Sequence, residues 1–210
     1  MRFFCCRFLS AASLFVMITA YASFPAYKAL NSNTYFIRSG AAGSKCTLEE
    51  PCGSLNQKLV EQAGKNARFY LAGGHRYDLG GRLVLSQGQS LFGRTQDFKK
   101  VSAGNERPEL IGGLTIQGKN HAQPVILQAL QLVNGAEVQR FGVDIEKARD
   151  VRIEDVRIGQ RDFEKNFARG IQISGSTDIQ IQNSSIYASS TVLDGYGLFV
   201  EGNASNILQY

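Results

Sequence analysis

The chain has 210 residues, enough for one domain with a substantial core, and its composition is ordinary apart from 22 Gly, only 4 Pro and no Trp. Its formal charge of +5 falls to +3 once the arginines at positions 2 and 7 are set aside. With no run of cations interleaved with aromatics, that excess argues against nucleic acid as a partner.

Arg2 and Arg7 precede an apolar stretch from Phe8 to Thr19, and Ala20-Tyr21-Ala22 places small residues at A-x-A spacing. Residues 1–22 therefore predict a secretory signal peptide, which engages a membrane only during export. The apolar stretch is shorter than the roughly 20 residues of a bilayer span, and an uncleaved anchor is the alternative. The expected location is outside the cytoplasm: periplasmic, outer-membrane-associated or extracellular. Residues 23–33 read as a lead-in without regular structure.

Residues 34–100 mix short strands, one helix and glycine turns. TYFIR at 34–38 is β-branched and aromatic and predicts a strand. In the loop that follows, Cys46 and Cys52 (KCTLEEPC) are the two cysteines left after the leader. In an oxidising compartment such a pair reads as a disulfide around Pro51, with two free thiols in a surface turn as the alternative. Zinc would need two more ligands, and His75 and His121 are the only histidines, so no metal is expected. Ser54 stands at a helix N-cap position, Leu55, Leu59 and Ala63 form one apolar stripe, and Gly64 is a natural stop. Strands are predicted at 68–72, 82–86 and 90–92, separated by Gly73-Gly74, Gly80-Gly81 and Gly88.

Residues 105–210 carry a repeat. Laying 142–158 (GVDIEKARDVRIEDVRI) over 170–186 (GIQISGSTDIQIQNSSI), an offset of 28 without gaps, sets Val143 on Ile171, Ile145 on Ile173, Val151 on Ile179, Ile153 on Ile181 and Ile158 on Ile186. Between them Asp144, Arg152 and Glu154 meet Gln172, Gln180 and Gln182. Residues 125–132 fit 151–158 at an offset of 26, 197–200 fit 170–173 at 27, and Asn206-Ile207 fit Asp178-Ile179 at 28. A period of this length, alternating apolar and polar in strand-sized pieces, predicts a β-solenoid whose layers align Val and Ile into columns. Asp150, Asp178 and Asn206 fall in one column before a strand, and Asp155 and Asn183 in another at a strand's end. Asp and Asn tolerate left-handed backbone, so these five predict a structural ladder at two bends.

The pattern G-[VI]-x-I…D-[VI]-x-I-x-[DN]-x-x-I resembles the pectin-lyase-like superfamily. The stretch from Tyr35 through Ser54-Leu55 and Leu71 to Gln89-Ser90-Leu91-Phe92-Gly93 resembles the N-terminal region of bacterial exported β-helix repeat proteins. The resemblance covers about residues 34–210. It implies an all-β, right-handed parallel β-helix, with 34–100 as an N-terminal cap containing one short α-helix and 105–210 as rungs, the last incomplete. It implies no single activity, because the superfamily includes lyases, hydrolases and adhesins.

No catalytic residue emerges. A glycosidase needs paired carboxyl groups, whereas acids here lie over amides, with Asp144 over Gln172, Glu154 over Gln182 and Asp155 over Asn183; the one acid-over-acid pair, Asp150 over Asp178, holds a turn position that favours a structural role. His75 and His121 read as turn or surface residues. The candidate ligand face is the polar row Arg152, Glu154, Arg157, Gln180 and Gln182, whose planar groups suit hydroxyl-rich ligands, against the plainer reading of a solvated face. The charged loop 159–169 is a second contact region, unless Phe163 and Phe167 fold back over the core. The expected function is an exported binding module of adhesin or passenger type, with a glycan or cell-surface ligand as partner and no cofactor. The alternative is a polysaccharide lyase or hydrolase, and only the lyase would bring calcium; a nonfunctional fragment is the third option. The last rung begins at Gly197, so the C-terminal end is expected to need a further segment or a partner.

Overall fold

The structure, a computed structural model, describes residues 33–119, 121–135, 139–160, 166–189 and 195–209. The predicted signal sequence, all of the lead-in except Asn33, and Phe163 lie outside the described residues.

The described chain is mostly β, with one α-helix, α1 (Gln57–Ala63), and a turn of 3-10 helix at Gly104–Glu106. One sheet runs β1 (Thr34–Ile37), β2 (Arg68–Ala72), β4 (Ser90–Arg94), β6 (Val125–Gln128), β9 (Arg149–Glu154), β12 (Thr177–Gln182) and β15 (Ser205–Gln209). The other runs β13 (Ser185–Ile186), β10 (Arg157–Ile158), β7 (Gln131–Val133), β5 (Glu109–Gln117), β8 (Phe141–Glu146), β11 (Arg169–Ser174) and β14 (Tyr196–Glu201), while β3 (Arg76–Leu85) pairs with β5 off that path. Pairings between these strands are parallel throughout.

The registers follow the overlays read from the sequence. Val143 pairs with Ile171, Ile145 with Ile173, Val151 with Ile179, Ile153 with Ile181 and Ile158 with Ile186. Val125 pairs with Val151, Ile171 with Leu198 and Ile179 with Ile207. Each apolar side chain therefore sits on another, and the columns merge into one core. Leu91, Leu127, Ile153 and Ile181 are successive partners in the first sheet, and Leu114, Val143 and Ile171 in the second; all seven are almost fully buried. Burial of each contributes about 1.5–3 kcal/mol before entropy is counted.

The polar columns carry left-handed backbone, one at the second residue of β9, β12 and β15 and the other just past the ends of β9 and β12. Asp150, Asp178 and Asn206 have φ of 51°, 59° and 53°, and Asp155 and Asn183 have 54° and 51°. That is the left-handed region, which costs most L-residues roughly 1–2 kcal/mol and Asp or Asn less. Buried backbone amides are satisfied by serines 28 residues on: Ala148 N donates to Ser176 Oγ at 3.0 Å and Val156 N to Ser184 Oγ at 3.2 Å.

Four local readings change. The helix N-cap is Asn56, whose Oδ1 accepts from Leu59 N at 3.0 Å, while Ser54 Oγ accepts from the Asn56 amide at 3.1 Å. Leu55 is buried ahead of the helix, and the face that α1 buries is Val60 and Ala63. Strand β3 runs unbroken from Arg76 to Leu85, absorbing Gly80-Gly81 in a register shift between Asp78 and Arg82. Strand β5 carries no forecast and bridges two rows, pairing with β7 through Glu109–Ile111 and with β8 through Leu114–Gln117. Gly112, at φ 127°, joins its halves where a Cβ would collide with the Gly81 carbonyl oxygen.

Cys46 and Cys52 are disulfide-bonded. Their loop lies on β1: Phe36 N donates to Cys46 O at 2.8 Å, Cys52 N to Phe36 O at 3.0 Å and Arg38 N to Cys52 O at 2.9 Å. Phe167 is fully buried in the core, so this part of the charged loop folds inward.

Candidate functional site

Alternation along the strands turns Arg152 and Glu154 of β9 away from the core residues Val151 and Ile153. Arg152 pairs in register with Gln180 and Glu154 with Gln182. Upstream, Gln128 pairs with Glu154 and its Nε2 donates to Glu154 Oε2 at 2.9 Å. Downstream, Gln180 pairs with Leu208. The structure thus assembles a half-buried row of amide, carboxylate and guanidinium groups on the first sheet. Arg157 is not part of it. The bend at Asp155 carries Arg157 into β10, where it pairs with Gln131 and Ser185 in the second sheet.

Asp150, Asp155, Asp178 and Asn206 of the ladder have side-chain partners. Asp178 Oδ1 accepts from Asn206 Nδ2 at 3.0 Å, directly between layers. Asp150 Oδ1 lies 3.7 Å from Arg152 Nη2. Asp155 is clamped by the buried Arg107, whose Nη2 donates to the carboxylate and whose Nε donates to the Asp155 carbonyl at 3.2 Å. Arg107 Nη1 closes the clamp on Gly104 O at 2.8 Å. Sequence reading missed Arg107 because it precedes the first clear repeat unit.

A second group on the second sheet was also missed. Thr115, Asp144, Gln172 and Phe199 are successive cross-strand partners, and so are Gln117, Glu146, Ser174 and Glu201. Gln172 accepts from Arg169 Nη1 at 2.7 Å and donates from Nε2 to Glu201 Oε1 at 3.1 Å. Asp144 Oδ1 is buried with no hydrogen-bond partner. Burial pushes the Asp144 carboxyl above the usual carboxylate range; Arg82 pulls it back, and the negative charges of Glu146 and Glu201 push it further up. The signal in the sequence was faint: two acids two residues apart on β8, with the third supplied from β14.

His121 Nδ1 lies 2.6 Å from Gln123 O, and the backbone carbonyl of His75 accepts from Glu109 N at 2.9 Å; neither histidine lies in a strand or helix. Tyr77 is buried with its hydroxyl 3.0 Å from both Ile37 O and Ala72 O, which share its one proton, and burial pushes its phenol well above the usual value. An open cleft of about 300 Å³ lies between the disulfide loop and α1, lined by Gly43, Cys52, Ser54, Asn56, Lys58 and Gln62 among others. Among the described residues no group of three or more His, Cys, Asp or Glu is placed to hold a metal ion. None of their helices is long and apolar enough to cross a membrane. The chain matches no family model, and neither the curated proteins nor the solved structures offer a match.

Proposed function

We propose that this chain is an exported right-handed parallel β-helix that serves as a glycan-binding module, with the outer row of the first sheet as its ligand face. The winding is supported by the cross-strand offsets: Val125 to Val151, Val151 to Ile179 and Ile179 to Ile207 advance by 26, 28 and 28 residues in one parallel sheet. Export is supported by the basic and apolar N-terminus and by the disulfide between Cys46 and Cys52. The observation that carries the ligand face is the register of Gln128, Glu154 and Gln182 beside Arg152 and Gln180. Strands about 4.8 Å apart present these planar groups as a regular polar strip. Amide and carboxylate groups accept from sugar hydroxyls, and amide and guanidinium groups donate to them.

The test is binding of the full chain to a panel of neutral and acidic oligosaccharides by calorimetry. Arg152→Ala combined with Gln180→Ala should weaken binding at least tenfold with unchanged unfolding behaviour. Full affinity in that double variant would refute the assignment.

A second reading, a polysaccharide hydrolase or lyase, is favoured by Asp144, a carboxyl biased toward its protonated form beside Glu146 and Glu201. Such a group is suited to give a proton to a leaving oxygen, with a second carboxyl group supplied from the same sheet. Product formation from any polysaccharide in the panel, lost in Asp144→Asn, would establish this reading in place of simple binding.

A further inference from the structure

We propose that Arg82, Arg140 and Arg169 form an oxyanion-binding site around Phe141, at the start of β8. The three come from separate stretches of chain, yet their guanidinium carbons lie 5.8, 5.4 and 5.8 Å from the centre of one ring. No two of these charges can therefore be farther apart than about 12 Å, near enough to repel one another in weak salt. None of the three forms an ion pair with a carboxylate among the described residues.

The cluster is built by the fold. Arg82 donates to neutral oxygens: from Nη1 to Leu114 O at 2.8 Å and Thr115 Oγ1 at 3.2 Å, and from Nη2 to Phe141 O at 2.7 Å. Gly113 makes room for it, since a Cβ there would stand 2.8 Å from Arg82 Nη2. Arg169 lies over Phe199 at 3.7 Å as well as over Phe141, and donates from Nη1 to Gln172. A guanidinium held beside an aromatic face keeps N–H donors that can take an oxyanion in a fork.

The acids of the same sheet set the weighting. Asp144 acts on Arg82 through space, and Glu201 is bonded to Gln172. That leaves Arg140, exposed, and Arg169 as the pair that meets the ligand, with Arg82 as the wall behind. The ligand class is a carboxylate, sulfate or phosphate group, either free or borne on a saccharide. This site lies on the second sheet, so it stands or falls apart from the polar row of the first.

The experiment is calorimetry of the full chain with sodium sulfate, and separately with a sulfated disaccharide, at ionic strength held constant with sodium chloride. Saturable binding is expected, weakened at least tenfold in Arg140→Gln and in Arg169→Gln, and unchanged in Arg149→Gln, an exposed arginine on the first sheet. A disaccharide affinity tenfold or more above that of sulfate assigns the anion to a saccharide; equal affinities assign it to a free oxyanion. Absence of saturable binding to either probe overturns the proposal, as does wild-type affinity in both Arg140→Gln and Arg169→Gln or an equal loss in Arg149→Gln. Urea unfolding of each variant, with unchanged midpoint, separates loss of the site from loss of the fold.

Discussion

Ile153→Ala is the sharpest probe of the stacked core. Ile153 is fully buried between its cross-strand partners Leu127 and Ile181, themselves almost completely buried. Truncating a buried Ile to Ala costs about 2–5 kcal/mol, and the value depends on how far the surroundings collapse into the space. Here collapse is resisted, because the backbone of β9 is held on both sides by parallel ladders to β6 and β12. The loss should therefore lie in the upper half of that range, about 4 kcal/mol, a large share of the roughly 5–15 kcal/mol typical of a domain. With an m-value near 2 kcal/mol/M, the urea midpoint should fall by about 2 M at unchanged m. Arg152→Ala, one residue away on the outward face, should cost less than about 1 kcal/mol. If Ile153→Ala loses under about 1 kcal/mol, or no more than Arg152→Ala, residues one repeat apart do not pack on one another as described.

Three further outcomes follow from the bends and from Asp144. Asp178 is exposed with φ 59°, so Asp178→Ala should lose about 1 kcal/mol in thermal unfolding while Asp178→Gly stays near wild type; equal losses would show that the side chain and not the backbone matters. Arg107→Met leaves Asp155 without its clamp, and because Asp155 is partly open to water the cost should be about 1–3 kcal/mol in urea unfolding; no loss would make the clamp incidental. Asp144 has its folded value raised by burial, so below the usual carboxylate range it is protonated in both states and its cost vanishes, while above the raised folded value the full cost is present. Stability should thus rise as pH falls through the window between those values. Asp144→Asn should be more stable than wild type at neutral pH and converge with it in acid, and parallel pH profiles would reject this.

The core was legible where its physics is periodic. An apolar residue at every second position, returning after 26 to 28 residues, requires only that paired strands recur at nearly one spacing, and β6, β9, β12 and β15, with Val125, Val151, Ile179 and Ile207 paired in turn, meet that condition. The bends were legible for the same reason, since Asp and Asn mark left-handed backbone wherever they recur in a column. Helix α1 was legible in place but not in its cap. Ser54 and Asn56 both have capping chemistry, and which one meets the first turn depends on Leu55 entering the core between them.

The second sheet hid its charged cluster because the spacing between its paired strands varies. Leu83 pairs with Leu114, Leu114 with Val143, Val143 with Ile171 and Ile171 with Leu198, spacings of 31, 29, 28 and 27 residues. A gap-free overlay follows only the later steps, so Arg82 falls outside any frame that aligns Phe141 with Arg169. In the first sheet Leu91 to Leu127 spans 36 residues for the same reason. The added residues leave the inward columns intact, because strands can lengthen their connections at little cost in closure entropy. Side chains at the strand ends are the ones re-sorted, and Arg140, Arg82 and Arg169 are all at or beside strand ends or register shifts. Fold is therefore written in the repeat of this chain, and the places where the repeat slips are where its charged chemistry collects.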